Sequence, residues 1–103
     1  MFSFFNKNSG PKTELHQALN TGALIIDVRS AQEYALGHIK GSQNIPLETL
    51  KNKIGEIKSY NRPVVTVCQS GRRSSTAQSF LQSNGIAAVN GGGWKEVNKI
   101  VPA

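Results

Sequence analysis

Two short apolar runs constrain this chain most: Ala23-Leu24-Ile25-Ile26-Asp27-Val28 and Val64-Val65-Thr66-Val67. A strand with one wet face alternates apolar and polar residues. A strand covered on both faces does not. Both runs are near-continuous, so both predict buried strands of a parallel sheet. The segments around them carry helical signals. Leu15, Ala18 and Leu19 form a stripe in a short helix over 12–20, with Thr13 as a candidate cap. Ser30-Ala31-Gln32-Glu33 is a capping box that opens a helix ending by Gly37. Leu47, Leu50, Ile54 and Ile57 recur at three- and four-residue spacing and predict a helix near 47–54.

The second half repeats the alternation. Asn44-Ile45-Pro46 is extended, because a residue before proline avoids the helical region. Pro63 opens the strand over 64–67. A helix from about Arg73 follows, with Ala77, Phe80 and Leu81 on one face and Asn84-Gly85 as its stop. Ile86-Ala87-Ala88-Val89 predicts a third short strand, Gly91-Gly92-Gly93 a flexible turn, and Trp94 to Val101 a small closing helix. Strands alternating with helices predict an α/β domain with helices on both faces of the sheet.

With 103 residues the expectation is one domain over 1–103, its motif-bearing part about 12–101. No apolar run approaches the ~20 residues that span a bilayer, so no membrane partner is expected. Met1-Phe2-Ser3-Phe4-Phe5-Asn6-Lys7 lacks the layout of a signal peptide and is expected to pack on the domain or fray. One cysteine cannot form an internal disulfide, which favours a reducing, cytoplasmic setting. His16 and His38 are far apart and no Cys/His cluster has ligand spacing, so neither metal nor cofactor is expected. The net charge of +6 is dispersed, without a dense basic run among aromatics. That argues for attraction of small anions over nucleic-acid binding. A monomer is the default expectation.

In parallel α/β sheets the functional crevice lies at the carboxyl ends of the strands. Asp27, Arg29 and Cys68 all fall there. Cys68-Gln69-Ser70-Gly71-Arg72-Arg73-Ser74 reads as a strand end, a tight loop and a helix start. Cys68 then sits against loop amides, a helix N-terminus and two arginines, which together lower a thiol's pKa and hold an anion beside it. Gln69, Ser70, Gly71, Arg72, Arg73 and Ser74 are the candidate binding residues. Gly71 permits a positive φ. Either Arg72 or Arg73 can grip a sulfonate, and Arg73 can instead turn inward to an acidic partner; Arg72 is expected to be the more exposed of the two. Ser74 is read first as a helix cap. Asp27 and Arg29 are expected in structural pairs, Asp27 with Arg73 and Arg29 with Glu33 or another carboxylate. His38 is expected to hydrogen-bond within its turn, His16 to face solvent and Trp94 to act as a core lid.

Four ordered motifs over roughly residues 23–95 resemble the rhodanese family of single-domain sulfurtransferases. They are Asp27-Val28-Arg29 with Glu33-Tyr34, the stretch Gly37-His38-Ile39-Lys40-Gly41-Ser42-Gln43-Asn44-Ile45-Pro46, the loop Cys68 to Ser74, and Gly91-Gly92 with nearby Trp94. The resemblance implies a three-layer α/β/α fold with a five-stranded, mainly parallel sheet. It also implies a reaction: Cys68 takes a sulfane sulfur from thiosulfate or a similar donor, and the persulfide passes it to cyanide or a thiol, a protein thiol included. The alternative is a non-catalytic docking or sulfur-carrier module of the same family. A cysteine phosphatase or arsenate reductase fits less well, because arginine there follows the cysteine by six positions. Here Arg73 follows Cys68 by five.

Overall fold

The computed structural model describes residues 11–102. The Phe-rich segment read above as packing or fraying lies outside them. Five α-helices and four strands are described: α1 (Pro11–Asn20), β1 (Leu24–Asp27), α2 (Ala31–Ala35), β2 (Gln43–Asn44), α3 (Ile54–Ser59), β3 (Val64–Cys68), α4 (Arg72–Ser83), β4 (Ala88–Gly93) and α5 (Trp94–Asn98). A 3-10 helix, Leu47–Lys53, leads into α3. All strand pairs are parallel, in the order β2-β1-β3-β4. The sheet therefore has four strands among the described residues, not five.

The continuous apolar runs are buried as their composition requires. On β3, Val64 packs with Leu24, Ile26, Leu50, Ile57, Ala77 and Leu81 on the face covered by the 3-10 helix, α3 and α4. Its neighbours Val65 and Val67 pack with Leu15, Ala18, Leu19 and Val97 on the face covered by α1 and α5. That alternation of side chains along one strand makes the three layers. Each fully buried Leu, Ile or Val contributes roughly 1.5–3 kcal/mol by leaving water.

Three local expectations change. The first helix begins at Pro11 rather than at a Thr13 cap, proline being well suited to a first helical turn. The segment expected as a helix near 47–54 is a 3-10 turn continued by α3. Leu47, Leu50 and Ile54 suit either helix, because their spacing of three and four keeps one face apolar in both. The glycine triplet is not a flexible turn: it forms the second half of β4, which starts at Ala88. Thr66 pairs with Asn90 but Val67 pairs with Gly92, so Gly91 is an extra residue in β4. A Cβ on Gly91 would stand 2.9 Å from Val65 Cγ1 and 3.0 Å from both Thr66 O and Val97 Cγ2. Only glycine fits that close approach.

The capping box at Ser30 is present as read: the Ser30 hydroxyl accepts from Glu33 N, and the Glu33 carboxylate accepts from Ser30 N. α4 stops at Asn84 and Gly85, the latter with φ of 79°. No helix among the described residues is long and apolar enough to cross a membrane. Nor do they place three or more His, Cys, Asp or Glu side chains together as a metal centre would require.

Candidate active site

β3 delivers Cys68 to the carboxyl edge of the sheet, and α4 begins four residues past it at Arg72. The turn between them needs Gly71, whose φ is 101°, in the region that favours glycine. This turn points the Gly71 N–H at Cys68 Sγ, with N···S of 3.0 Å. The first turn of α4 adds the Ser74 N–H at 3.3 Å. The Ser74 hydroxyl lies 3.3 Å from the same sulfur and accepts from the thiol S–H. Burial pushes the Cys68 thiol up. Hydrogen bonds from the Ser74 hydroxyl and from the Ser74, Gly71 and Ser70 amides to the thiolate outweigh that and bring it below its ordinary value. Cys68 as a whole is only 1% exposed.

Arg72 is the more exposed of the two arginines. Arg73 is half-buried and forks onto the Glu33 carboxylate, Nη1 to Oε1 at 2.8 Å and Nη2 to Oε2 at 3.0 Å. The Arg73 hydrogen bonds, with the Ser30 amide, hold Glu33 down at about 2 against burial. The same Glu33 bonds, and the nearby charges of Cys68 and Asp27, raise Arg73 above its ordinary value.

Asp27 and Arg29 correct the expected partners. Asp27 pairs with Arg29, not Arg73, and the guanidinium of Arg29 does not reach the Glu33 carboxylate. Arg29 Nε and Nη2 donate to the Asp27 carboxylate at 3.0 and 2.8 Å, and the Arg29 amide donates to it at 3.0 Å. Nη2 also donates to Gly37 O at 2.7 Å and Nη1 to Glu33 O at 3.3 Å. Both side chains are buried. The reason is reach. Asp27 and Arg29 point to the same side of an extended segment two residues apart, so the ion pair closes locally and leaves Arg73 to a carboxylate at the surface.

Ser74 does not cap α4. Gly71 occupies the cap position, and α4 has no side-chain cap. The Ser74 hydroxyl donates instead to Asn90 Oδ1 at 2.6 Å. Thr66 Oγ1 donates to Ser74 O at 2.8 Å and so ties the first turn of α4 to β3. Asn90 escaped the sequence reading because an asparagine before three glycines signals a turn. Only the β4 register, with Asn90 opposite Thr66, carries it to Ser74.

A shallow pocket of about 200 Å³ adjoins the loop at Gln69 and is walled by Arg29, Gly37, Leu36, Trp94 and Lys95. Trp94 is half-buried, with the Arg29 guanidinium 4.8 Å from its ring centre. It walls this pocket as well as closing the α5 side of the core. Leu36, at 92% exposed, stands at the rim. A larger pocket of about 400 Å³ lies between Pro63 and Ile86, at the opposite end of β3 from Cys68, and plays no part in this site. His38 lies apart from the loop: its Nδ1 bonds Tyr34 O at 2.8 Å and its ring stacks on Tyr34. His16 is exposed on α1.

The rhodanese-like domain family model matches residues 11–99, which is nearly everything described. The chain belongs to the rhodanese-like family. Its parallel sheet, with the cysteine loop running from a strand into a helix, is the fold of that family. A relative in Bacillus subtilis, the uncharacterized protein YqhL, is 41% identical over 76 residues, covering 72% of this chain and 60% of that protein. Thiosulfate sulfurtransferase GlpE of Pseudomonas fluorescens is 38% identical over 77 residues, covering 74% of this chain and 70% of GlpE. A rhodanese of Escherichia coli, solved with anions, is 34% identical with a TM-score of 0.66, covering 73% of this chain and 91% of that one. The chain thus spans less than two thirds of YqhL but most of the two rhodanese-like proteins with a named activity.

Proposed function

We propose that this chain is a thiosulfate-type sulfurtransferase whose nucleophile is Cys68. The observation that carries the reading is the cradle itself: one buried sulfur receives the Gly71 and Ser74 N–H groups and lies beside the Ser74 hydroxyl. Such a cradle favours an anion on sulfur, both the attacking thiolate and the persulfide that follows.

The Cys68 thiolate attacks the sulfane sulfur of thiosulfate. A new S–S bond forms, the bond to the sulfonate breaks, and sulfite leaves with the electron pair. The outer sulfur of the Cys68 persulfide is then attacked by cyanide or by an acceptor thiolate, and Cys68 departs as thiolate. Exposed Arg72 at the loop mouth suits the sulfonate end of the donor, since Arg73 is already engaged by Glu33. Gln69 and Ser70 complete the mouth, and the setting proposed is the reducing one of the cytoplasm. The names of GlpE and of the E. coli rhodanese support the activity for those proteins and, by likeness, for this one.

Intact mass after incubation with thiosulfate tests this. A gain of one sulfur atom on the wild type, absent in Cys68→Ser, together with thiocyanate formed from cyanide, is expected. No gain would move the chain to the docking reading, and a gain without turnover to the sulfur-carrier reading. Hydrolysis of an aryl phosphate with no sulfur transfer would replace the proposal with the phosphatase reading.

A further inference from the structure

Ser74 carries one hydroxyl proton and stands between two groups that can accept it. Asn90 Oδ1 is 2.6 Å from its oxygen and Cys68 Sγ is 3.3 Å away. Asn90 is held in the accepting orientation from both sides. Its Oδ1 also accepts from the Gly92 N–H at 2.9 Å, and its Nδ2 donates to Gly71 O at 3.3 Å. Turning the amide over would set an N–H against the Gly92 N–H and a carbonyl against Gly71 O. The side chain is therefore fixed with oxygen toward Ser74. Ser74 itself is fully buried, so no water substitutes for either partner.

We infer that Asn90 and Cys68 compete for the single hydroxyl proton of Ser74, which makes Asn90 a positioning residue for the nucleophile. With Cys68 as a thiol the chain runs one way: S–H donates to Ser74 Oγ, and the Ser74 hydroxyl donates to Asn90. Once the sulfur is an anion it offers no proton, and it accepts from the Gly71 and Ser74 amides. The hydroxyl is the third donor within reach, and rotating it to sulfur breaks its shorter bond to Asn90. Asn90 thus draws the hydroxyl away from the thiolate and weakens that bond. A thiolate held by a weaker bond is more basic and, once ionised, intrinsically more nucleophilic. Nothing in the sequence pairs residue 90 with the cysteine. The register of β4, with Asn90 opposite Thr66, does so.

The groups around Cys68 that carry charge are Arg72 and Arg73 on α4, Asp27 on β1, and Arg29, Glu33 and Lys95 nearby. None of the side-chain ion pairs or hydrogen bonds described for them involves Asn90 or the Ser74 hydroxyl. Cys68 is the only cysteine, so the ultraviolet absorbance of its thiolate, with Cys68→Ser as the blank, titrates one group. This needs no sulfur donor, so the inference stands or falls separately from sulfur transfer.

The experiment compares the wild type, Asn90→Leu, Ser74→Ala and the double variant. Asn90→Leu frees the hydroxyl for sulfur and is expected to move the thiolate midpoint down by about half a unit. That is about threefold more thiolate at a pH below the midpoint. In the Ser74→Ala background the same substitution should move nothing. Asn90→Ala repeats the comparison should the leucine variant fail to fold. A midpoint that stays or rises in a folded Asn90 variant overturns the inference. So does an equal downward shift with and without the Ser74 hydroxyl, which would place the effect in the backbone.

Discussion

Arg73 and Glu33, forty positions apart, meet in a two-pronged ion pair that fastens α4, the helix carrying the cysteine loop, to α2. Glu33 serves two masters there. Its carboxylate accepts from Arg73 and also closes the capping box by accepting from Ser30 N. One carboxylate thus ties the start of α2 to the first turn of α4, beside Cys68.

That double use makes the acid limb of stability depend on Glu33. Its carboxyl falls from an ordinary 4.5 to about 2 in the fold. A depressed carboxyl contributes stability that is fully present above its unfolded value and is lost as pH falls through its folded value. The contribution is therefore complete above 4.5 and disappears on approaching 2. Both side chains are more than a third exposed, so screening reduces it to about 1 kcal/mol. Urea unfolding of Glu33→Gln should show that loss at neutral pH, and the gap to wild type should close across this acid window.

Asp27 and Arg29 lie at the other extreme of burial. Removing one member of a buried pair strands the other charge, so Arg29→Ala should cost roughly 3–5 kcal/mol. It also empties the hydrogen bonds to Gly37 O and Glu33 O and the contact with the Trp94 ring. Thermal unfolding should show a drop several times that of Glu33→Gln. Equal effects would mean that the buried pair is no more costly to break than the surface one.

Arg72 and Arg73 should separate kinetically. Arg72→Ala is expected to raise KM for thiosulfate severalfold while leaving unfolding in urea unchanged, because Arg72 is exposed and no ion pair holds it among the described residues. Arg73→Ala should lower stability by about 1 kcal/mol through Glu33. Steady-state kinetics beside denaturation of the same two variants reads both. A stability loss in Arg72→Ala with KM unchanged would reverse the assignment.

Two glycines should respond with opposite signs. Gly55 lies in α3 with nothing within 4 Å of where a Cβ would stand, and Gly55→Ala should stabilise by about 0.4–1 kcal/mol. Gly91→Ala would press a methyl onto Val65, Thr66 O and Val97 and should destabilise by roughly 1–3 kcal/mol. Denaturant midpoints of the pair check the packing of β4 directly.

The thiol should titrate early. Because Cys68 is lowered despite its burial, sulfur transfer should rise with pH to a plateau whose midpoint lies below that of an unperturbed cysteine. Gly71→Ala, which strains a φ of 101° and moves an amide off Sγ, should raise that midpoint. A pH–rate profile for both proteins measures this, and coincident midpoints would remove Gly71 from the cradle.

The layers, the strand order of chemistry and the cysteine loop were legible because they rest on local signals. Continuous apolar runs mean strands covered on both sides, Ser30 and Glu33 write a helix start four residues long, and a glycine after a cysteine writes a tight turn. The misreadings share one cause. Asp27 pairs with Arg29 instead of Arg73, Ser74 turns to Asn90 instead of capping its helix, and Gly91-Gly92-Gly93 is strand instead of turn. Each depends on which atoms folding brings within about 3 Å of one another, the first through an ion pair that closes locally and the other two through the register of β4.

By itself, then, the amino-acid order determined a parallel α/β domain with one thiol at a strand end, because periodicity and turn chemistry act over a few residues, and its ordered motifs carried the resemblance to the rhodanese family. Only the tertiary structure decided what surrounds that thiol. Hydrogen bonds and ion pairs are short-ranged and directional. The partners of Arg29, Arg73, Ser74 and Asn90 were therefore settled where the packed sheet set them down.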